Sequence, residues 1–242
     1  MKTIGIIGGF GPEATASFYC MLTKKDNEQK KQAESYPEIL IYNMPLSYKV
    51  EEEFVLHGNN KEIYIDGIVD GIVDGIVALA ATGKPDFYVI PCNTLHLYID
   101  EIRRKSKKNI LSIVDSAANF LSNQKISSKS IKKVYILGTS LTITKGLYTE
   151  KLKESSIQSV LPSEHDRQKL SEAIYKFLNE GDSSMAVDFI KSLSTNPEFR
   201  ECDCVLLACT DLNLMKTSIR QFCTIPVYDS LEILAKTCLE TI

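Results

Sequence analysis

The two halves of the chain repeat one order of motifs, and this duplication limits the possible fold more than any other feature. IGIIGGFGPEAT in the first half is matched by VYILGTSLTITKG in the second, IPCNT by LACTD, and ILSIVDSA by IPVYDSL. The offsets between matched residues are 130, 117 and 114: Gly8 with Gly138, Cys92 with Cys209, and Asp115 with Asp229. Offsets that shrink in small steps indicate one duplicated unit with shortened loops.

Short apolar runs alternate with helical patterns in both halves. They predict strands at about residues 3–8, 39–43, 87–92 and 110–114, and again at about 133–137, 158–161, 204–208 and 225–228. Strands that alternate with helices form parallel sheets with helices on both faces. The sequence therefore predicts an α/β fold with two parallel sheets, each flanked by helices.

A shorter repeat, GIVDGIVDGIV, occupies residues 67–77. Its four-residue period places Ile68, Ile72 and Ile76 along one side of a predicted helix. Glycine at every fourth position weakens such a helix, and the pattern indicates no function by itself.

Composition excludes several classes of partner. The 242 residues include 28 basic and 31 acidic side chains, a net charge of −3 that favours neither nucleic acid nor an anionic membrane surface. The opening MKTIGIIGG is too short an apolar run for a signal peptide or a membrane span. Seven cysteines, an odd number, are typical of thiols in a reducing compartment. We predict a cytoplasmic protein that binds a small molecule.

Cys92 and Cys209 end predicted strands at equivalent positions of the repeat. In parallel α/β sheets, ligands bind beyond the carboxyl ends of the strands. Polar residues that open a predicted helix follow each cysteine, and a helix N-terminus lowers the pKa of a thiol. A lone cysteine is usually a small buried hydrophobe, and this interpretation applies to the other five: Cys20, Cys202, Cys204, Cys223 and Cys238. A zinc site made of Cys202, Cys204, Cys209 and Cys223 is not expected, because Cys202 and Cys204 form a C-x-C rather than a C-x₂₋₄-C pair and no histidine is near in sequence, so we predict no metal.

The loop after the first predicted strand contains Gly9-x-Gly11-x-x-Ala14, which matches a dinucleotide-binding fingerprint. That fingerprint also requires an acidic residue at the end of the second strand, where this chain has Asn43. The nucleotide hypothesis is therefore weak. Backbone amides at a helix start bind a carboxylate as readily as a phosphate, so the loop stays a candidate ligand-binding element.

Polar side chains follow both cysteines and the first strand of the second half. Serine, threonine and asparagine at such positions either cap helices or contact a ligand, and adjacency to the thiols favours contact. The candidates are Asn93, Thr94, Thr139, Ser140, Thr142 and Thr210. His96 lies four residues after Cys92 and would either tune the thiol or line the cleft.

These motifs, in this order, resemble those of the PLP-independent amino acid racemases of the aspartate/glutamate racemase superfamily. The resemblance covers nearly the whole chain and rests on GGFGPEAT, PCNTLH, ILSIVDSA, LGTSLT, ACTD and IPVYDS. The aspartate racemase branch is the more similar, because the Asp-Ser-Gly opening of the cell-wall glutamate racemases is absent. The resemblance implies racemisation without a cofactor, in a homodimer.

It also implies two pseudo-symmetric α/β domains with the active site in the cleft between them. The first would span residues 1–115, completed by about 225–242, and the second 116–224. Catalysis would fall to Cys92 and Cys209, one removing the Cα proton and the other returning a proton to the opposite face. Substrate contacts would come from the polar candidates above and from Gly9 and Phe10 in the first loop.

The implied substrate is an acidic amino acid, with aspartate first and glutamate second. Aspartate-type members carry an arginine after the second strand, whereas NMPLSYKVEEEF has only Lys49, so a bulkier or less acidic substrate stays open. Lys176 is another candidate cation. Three alternatives also stay open: hydantoin racemisation, maleate isomerisation, and a non-catalytic module that binds a small molecule.

Overall fold

A computed structural model describes residues 2–24, 35–52 and 62–242. In the first half, the strands and helices are β1 (Ile4–Gly8), α1 (Pro12–Thr23), β2 (Ile39–Asn43), α2 (Tyr48–Glu52), α3 (Glu62–Ala80), β3 (Phe87–Val89), α4 (Ile99–Ser106), β4 (Ile110–Leu111) and α5 (Ile113–Asn123). A 3₁₀ helix, Thr94–Tyr98, lies between β3 and α4. The four strands form one parallel sheet in the order β2-β1-β3-β4.

The second half begins after a small antiparallel pair, β5 (Lys125–Ile126) and β6 (Lys129–Ser130). It contains β7 (Lys133–Leu137), α6 (Ser140–Thr144), α7 (Thr149–Glu154), β8 (Gln158–Val160), α8 (Glu164–Glu180), α9 (Ser184–Leu193), α10 (Pro197–Arg200), β9 (Cys204–Leu207), α11 (Lys216–Phe222), β10 (Val227–Asp229) and α12 (Ser230–Thr241). A 3₁₀ helix, Thr210–Asn213, follows β9. The sheet is again parallel, in the order β10-β9-β7-β8.

The two sheets have the same strand order, which confirms the predicted α/β fold with two parallel sheets flanked by helices. Phe87 begins β3 and Cys204 begins β9, 117 residues later, and the same offset separates the starts of β4 and β10. The helices that follow these strands also keep it, because Ser112 caps α5 and Asp229 caps α12. The predicted match of Asp229 with Asp115 is therefore wrong: the structural counterpart of Asp229 is Ser112.

The predicted strands correspond to the observed ones, with differences at their ends. The last was predicted from residue 225, but β10 begins at Val227, after Pro226. The third was predicted to continue to Cys92, but β3 ends at Val89. The cause is Pro91, which has no N–H to donate to a neighbouring strand. The fourth ends at Leu111, because the Ser112 hydroxyl accepts a hydrogen bond from the Asp115 amide and begins α5.

Alternation along the strands divides the core into three layers. Ile4 and Ile6 of β1, like Val134 and Ile136 of β7, face a central layer shared by both sheets. Ile7 faces the outer layer of the first sheet, which α3 and α4 cover. The outer layer of the second sheet is covered by α8, α9 and α11. Because alternate residues of a strand face opposite sides of the sheet, one side of each sheet packs against the same central core.

The helices α5 and α12 lie together in that central layer. α12 also contacts α1 of the first half, whereas α5 contacts α7 of the second. Strand β10, just before α12, pairs with β9 in the second sheet. The C-terminal segment therefore contacts both halves, and residue 115 lies inside α5. The division of the chain into domains at these positions stays a prediction.

The repeat at residues 67–77 forms the middle of α3, as predicted, and Ile68, Ile72 and Ile76 are buried. Two of its glycines allow β2 and the residue after it to approach closely. A Cβ at Gly75 would lie 2.6 Å from the Tyr42 ring, and one at Gly71 would lie 2.6 Å from the Met44 sulfur. Within the described residues, no helix has the length and apolar character needed to span a membrane.

Candidate active site

Two equivalent turns bring Cys92 and Cys209 to one pocket between the two halves of the molecule. Each cysteine follows the end of a central strand of its sheet and precedes a short 3₁₀ helix. The pocket lies beyond the carboxyl ends of the strands, where ligands of parallel α/β sheets bind. Its described lining is Phe10, Gly11, Leu46, Ile68, Cys92, Asn93, Thr94, Leu95, Thr139, Cys209, Thr210 and Asp211.

Seven of the ten predicted site residues line this pocket, and the other three lie near it without lining it. Gly9 adopts a φ of 100°, and its backbone packs so close to Met44 that a Cβ would overlap the Met44 carbonyl. Ser140 begins α6, where its hydroxyl contacts that of Ser171 at 3.4 Å. Thr142 is outside the described lining, but its hydroxyl contacts those of two threonines that line the pocket.

Three hydroxyls from the two halves form a cluster at the pocket. The Thr94 oxygen lies 3.4 Å from that of Thr139 and 3.3 Å from that of Thr142, and the last two are 3.1 Å apart. The Thr139 hydroxyl also accepts a hydrogen bond from the Thr142 amide, which fixes it as the cap of α6. The hydroxyls of this cluster can donate hydrogen bonds, as binding of a carboxylate, which only accepts them, requires.

Cys209 is buried, and its thiol donates a hydrogen bond to the Asp211 carboxylate at 3.5 Å. Burial, and then the negative charge of Asp211, raise the pKa of this thiol well above its ordinary value. The amides of Asp211 and Leu212 act in the opposite direction but are outweighed, and a thiolate at Cys92 would raise the pKa further. The prediction that a helix start lowers this pKa is wrong, because desolvation dominates.

His96 supports the turn of Cys92 through the backbone. The ring donates from Nδ1 to the Cys92 carbonyl at 2.8 Å and accepts at Nε2 from the Ile113 amide at 3.1 Å. Burial lowers the pKa of the ring to about 4, so the imidazole is neutral. Both ring nitrogens are bonded to the backbone, and His96 lies outside the described lining of the pocket, so the predicted role in lining the cleft is not the one that its contacts support.

Asn93 lines the pocket, but its side chain is bonded within the protein. Its amide donates to the Ser230 hydroxyl at 3.1 Å, and its carbonyl accepts from the Tyr148 hydroxyl. Ser230 begins α12, so the turn that carries Cys92 is attached to the helix shared by both halves. The side-chain amide of Asn93 therefore holds the turn of Cys92 in place.

The turn of Cys209 is attached to the same helix end. Asn213 donates to the Asp229 carboxylate at 2.8 Å and accepts from the Ser17 hydroxyl of α1 at 2.8 Å. Asp229 caps α12 by accepting from the amides of Leu231 and Glu232. Burial raises the pKa of Asp229 to about 6. One helix N-terminus thus holds both cysteine turns in place.

Neither candidate cation lies in the described lining of the pocket. Lys176 pairs with Asp182 at 2.9 Å, and Lys49 is exposed on α2. The described lining contains no lysine or arginine. Among the residues that the structure describes, there is also no group of three His, Cys, Asp or Glu side chains placed to hold a metal ion.

The sequence indicated that the other five cysteines are buried, but the structure buries only some of them. Cys202, Cys204 and Cys238 are buried in the core, and Cys223 is half-buried. Cys20 is exposed on α1, so the prediction of core packing is wrong for it.

Sequence analysis missed five residues of the lining. Gly11 and Asp211 could have been found, since each adjoins a residue that was selected. Leu46, Ile68 and Leu95 could not, because apolar side chains near strand ends and on helices normally belong to the core. Only the tertiary arrangement distinguishes an apolar residue that lines a pocket from one that fills the interior.

Comparison with known proteins identifies amino acid racemases as similar to this chain. A family model described as Asp/Glu/Hydantoin racemase matches residues 7–238. The chain is 29% identical to the broad specificity amino-acid racemase RacX of Bacillus subtilis (strain 168), over 98% of this chain and 97% of that protein.

Two solved structures resemble the fold over the whole chain. An aspartate racemase homologue from Pyrococcus horikoshii OT3 is 27% identical, with a TM-score of 0.76 over 100% of this chain and 99% of the other. The aspartate racemase of Picrophilus torridus is 28% identical, with a TM-score of 0.74 over 100% of this chain and 94% of the other.

Proposed function

The chain belongs to the Asp/Glu/hydantoin racemase family and is an amino acid racemase, and from that premise we propose that Cys92 and Cys209 are its two proton-transfer groups. The observation that supports this proposal is the meeting of two thiols, from equivalent strand ends of a duplicated fold, in one pocket. Racemisation requires a base and an acid on opposite faces of one carbon. A pseudo-symmetric pair of turns supplies two such groups.

The reaction transfers protons without oxidation or reduction. In one direction the Cys92 thiolate takes the Cα proton, and the electron pair of the broken C–H bond stays on the substrate as a carbanion. The Cys209 thiol then gives its proton to the opposite face of that carbon. In the other direction the two sulfurs exchange roles, so the same groups interconvert both enantiomers.

The surroundings of Cys209 suit the acid role in the resting enzyme. The thiol is buried beside a carboxylate, and both conditions favour the protonated form. Cys92 is the more exposed of the two and is the group that first accepts the proton. A substrate ammonium group beside Asp211 would offset its charge and make the Cys209 thiolate easier to form in the reverse direction.

The carbanion is delocalised into the substrate carboxylate, so groups that hold this carboxylate stabilise the transition state. The Thr94 and Thr139 hydroxyls, which contact each other at 3.4 Å, and the amides that begin the turn after Cys209 are the donors we assign to it. Removal of water from the pocket would strengthen these hydrogen bonds. Aspartate or glutamate is the substrate that the sequence resemblance implies, and both belong in the first assay.

Incubation in D₂O with single enantiomers, without added PLP or metal, tests the mechanism by NMR detection of Cα deuteration and by chiral chromatography. We expect Cys92→Ser and Cys209→Ser each to lower racemisation by about 100-fold or more, the usual contribution of an acid–base group. Cys20→Ser, at an exposed thiol outside the pocket lining, is the matched control. Racemisation at the wild-type rate by either active-site variant would contradict the two-thiol mechanism.

We further propose a cytoplasmic homodimer, as the sequence and the resemblance imply. The seven thiols support a reducing compartment, because oxidation of the active-site pair would stop proton transfer. Light scattering during gel filtration tests the assembly. A mass of one chain at enzymatic concentrations would contradict the dimer.

A further inference from the structure

The pocket has an apolar wall, made of Phe10, Leu46, Ile68 and Leu95. These side chains come from four separate elements of the first half: the loop after β1, the segment after β2, the helix α3 and the 3₁₀ helix after Cys92. Phe10, Ile68 and Leu95 are 8%, 6% and 3% exposed, and Leu46 is partly buried. Four elements thus converge in one apolar cluster that contributes hydrocarbon to the pocket of the two thiols.

The polar side chains of the lining come mainly from the second half of the chain. Thr139, Thr210 and Asp211 come from the second half, and the Thr94 hydroxyl contacts that of Thr139. Asp211 is 9% exposed and adds a negative charge beside Cys209. The lining therefore combines groups suited to the ammonium and carboxylate of an amino acid with a cluster of side chains suited to hydrocarbon.

This division determines where each part of a substrate fits. The ammonium and carboxylate need hydrogen bonds, so they belong at the hydroxyls, the backbone amides and Asp211. The side chain is then directed to the apolar wall. A second carboxylate there would lose its water without gaining hydrogen bonds from the wall, and Asp211 would repel it.

Resting on the proposed racemase function, we infer that the substrate carries a neutral, apolar side chain rather than an acidic one. Each methylene that the wall buries favours binding by about fourfold. The preference should therefore increase along a series of straight aliphatic side chains until the wall is filled. It should be weakest for aspartate and glutamate.

A panel in D₂O tests this order with alanine, 2-aminobutyrate, norvaline, methionine, aspartate, glutamate and lysine. We expect kcat/KM for Cα exchange to rise from alanine to norvaline and to exceed that of aspartate by about tenfold or more, given the gain per methylene. Fastest exchange with aspartate or glutamate would overturn the inference while leaving the two-thiol mechanism intact. Fastest exchange with lysine would also overturn it.

Binding measured by calorimetry separates the two proposals. If norvaline binds the wild-type protein more tightly than aspartate but neither exchanges, the apolar wall is supported and the catalytic proposal fails. If aspartate binds more tightly, the inference fails whatever the exchange rates are.

Leu46→Lys provides the matched test of the wall itself. A cation at this position should raise the kcat/KM ratio of aspartate to norvaline by about tenfold or more, because it would pair with the second carboxylate. Leu161→Lys, at an exposed leucine outside the described lining, should leave the aspartate-to-norvaline ratio unchanged. If Leu46→Lys does not fold, as circular dichroism would reveal, Ile68→Thr should lower norvaline activity more than alanine activity. If the folded Leu46→Lys variant keeps the wild-type ratio of aspartate to norvaline, or the folded Ile68→Thr variant keeps that of norvaline to alanine, the inference is overturned.

Discussion

Asp211 and Cys209 are two residues apart, and this spacing makes the proton affinity of the thiol depend on a carboxylate. The amides of the turn favour the thiolate, whereas burial and Asp211 favour the thiol. Burial alone would give an unreactive sulfur, as it does at Cys238, whose pKa it raises. Cys209 differs because it lines a pocket, where the ammonium group of a bound substrate can offset the charge of Asp211 and favour the thiolate.

Asp211→Asn should lower the pKa of Cys209, because it removes the negative charge that disfavours the thiolate and keeps a side chain of similar size. The rate of alkylation of Cys209 by iodoacetamide, followed by mass spectrometry against pH, measures this shift. We expect the rise in rate to begin at lower pH in the variant than in the wild type. Asp188→Asn, at an exposed aspartate that pairs with Lys191, is the control. A midpoint that stays in place or moves to higher pH would contradict the assigned charge effect.

His96 and Asn213 hold equivalent positions in the two cysteine turns, each four residues after its cysteine. His96 bonds to the first amide of α5, and Asn213 bonds to the cap of α12. The side chains differ, but both attach a turn to the start of the following helix. Sequence comparison of the halves aligned the thiols correctly, but it could not identify this shared role, because the bonds connect residues 16 or 17 positions apart.

At the scale of elements, the strands could be predicted because each is a short apolar run bounded by turn residues. The strand ends could not be predicted from periodicity alone, because they depend on single residues: Pro91 ends β3 early, and Ser112 caps α5 two residues after Ile110. The thiol pair could be predicted for the same reason as the strands, since it marks strand ends in a repeat. Leu46 and Ile68 could not be assigned to the site, because their neighbours come from distant segments.

Two glycines of α3 allow the two effects of glycine, conformational freedom and lack of a side chain, to be measured separately. Gly67→Ala should stabilise the protein by about 1 kcal/mol, since alanine is the better helix former and no atom lies within 4 Å of the new Cβ. Gly75→Ala should instead destabilise it by about 1–2 kcal/mol, because its Cβ would lie 2.6 Å from the Tyr42 ring. Urea unfolding measures both. Equal stabilisation by the two variants would contradict the close packing of α3 on β2.

At the scale of the whole molecule, the central layer of the core connects the two repeated halves of the chain. It contains residues of β1 and β3 from one sheet, of β7 and β9 from the other, and of α1, α5 and α12. The same layer holds the N-terminus of α12, which bonds to the turns of both cysteines. The relative position of the two thiols therefore depends on packing that belongs to neither half alone.

This arrangement predicts that the two halves unfold together. Leu234→Ala, at a fully buried residue of α12 in the central layer, should cost about 2–5 kcal/mol, the usual range for a leucine-to-alanine cavity. Hydrogen exchange followed by mass spectrometry should show this loss equally in peptides from β1 and from β9, because the layer packs against both sheets.

Leu193→Ala, in the outer layer of the second sheet, is the informative control. If the halves unfolded independently, it would weaken β9 and leave β1 unchanged; in a cooperative molecule it lowers the protection of both. Racemisation should decline with unfolding in each variant but not before it, since neither leucine lies in the described lining of the pocket.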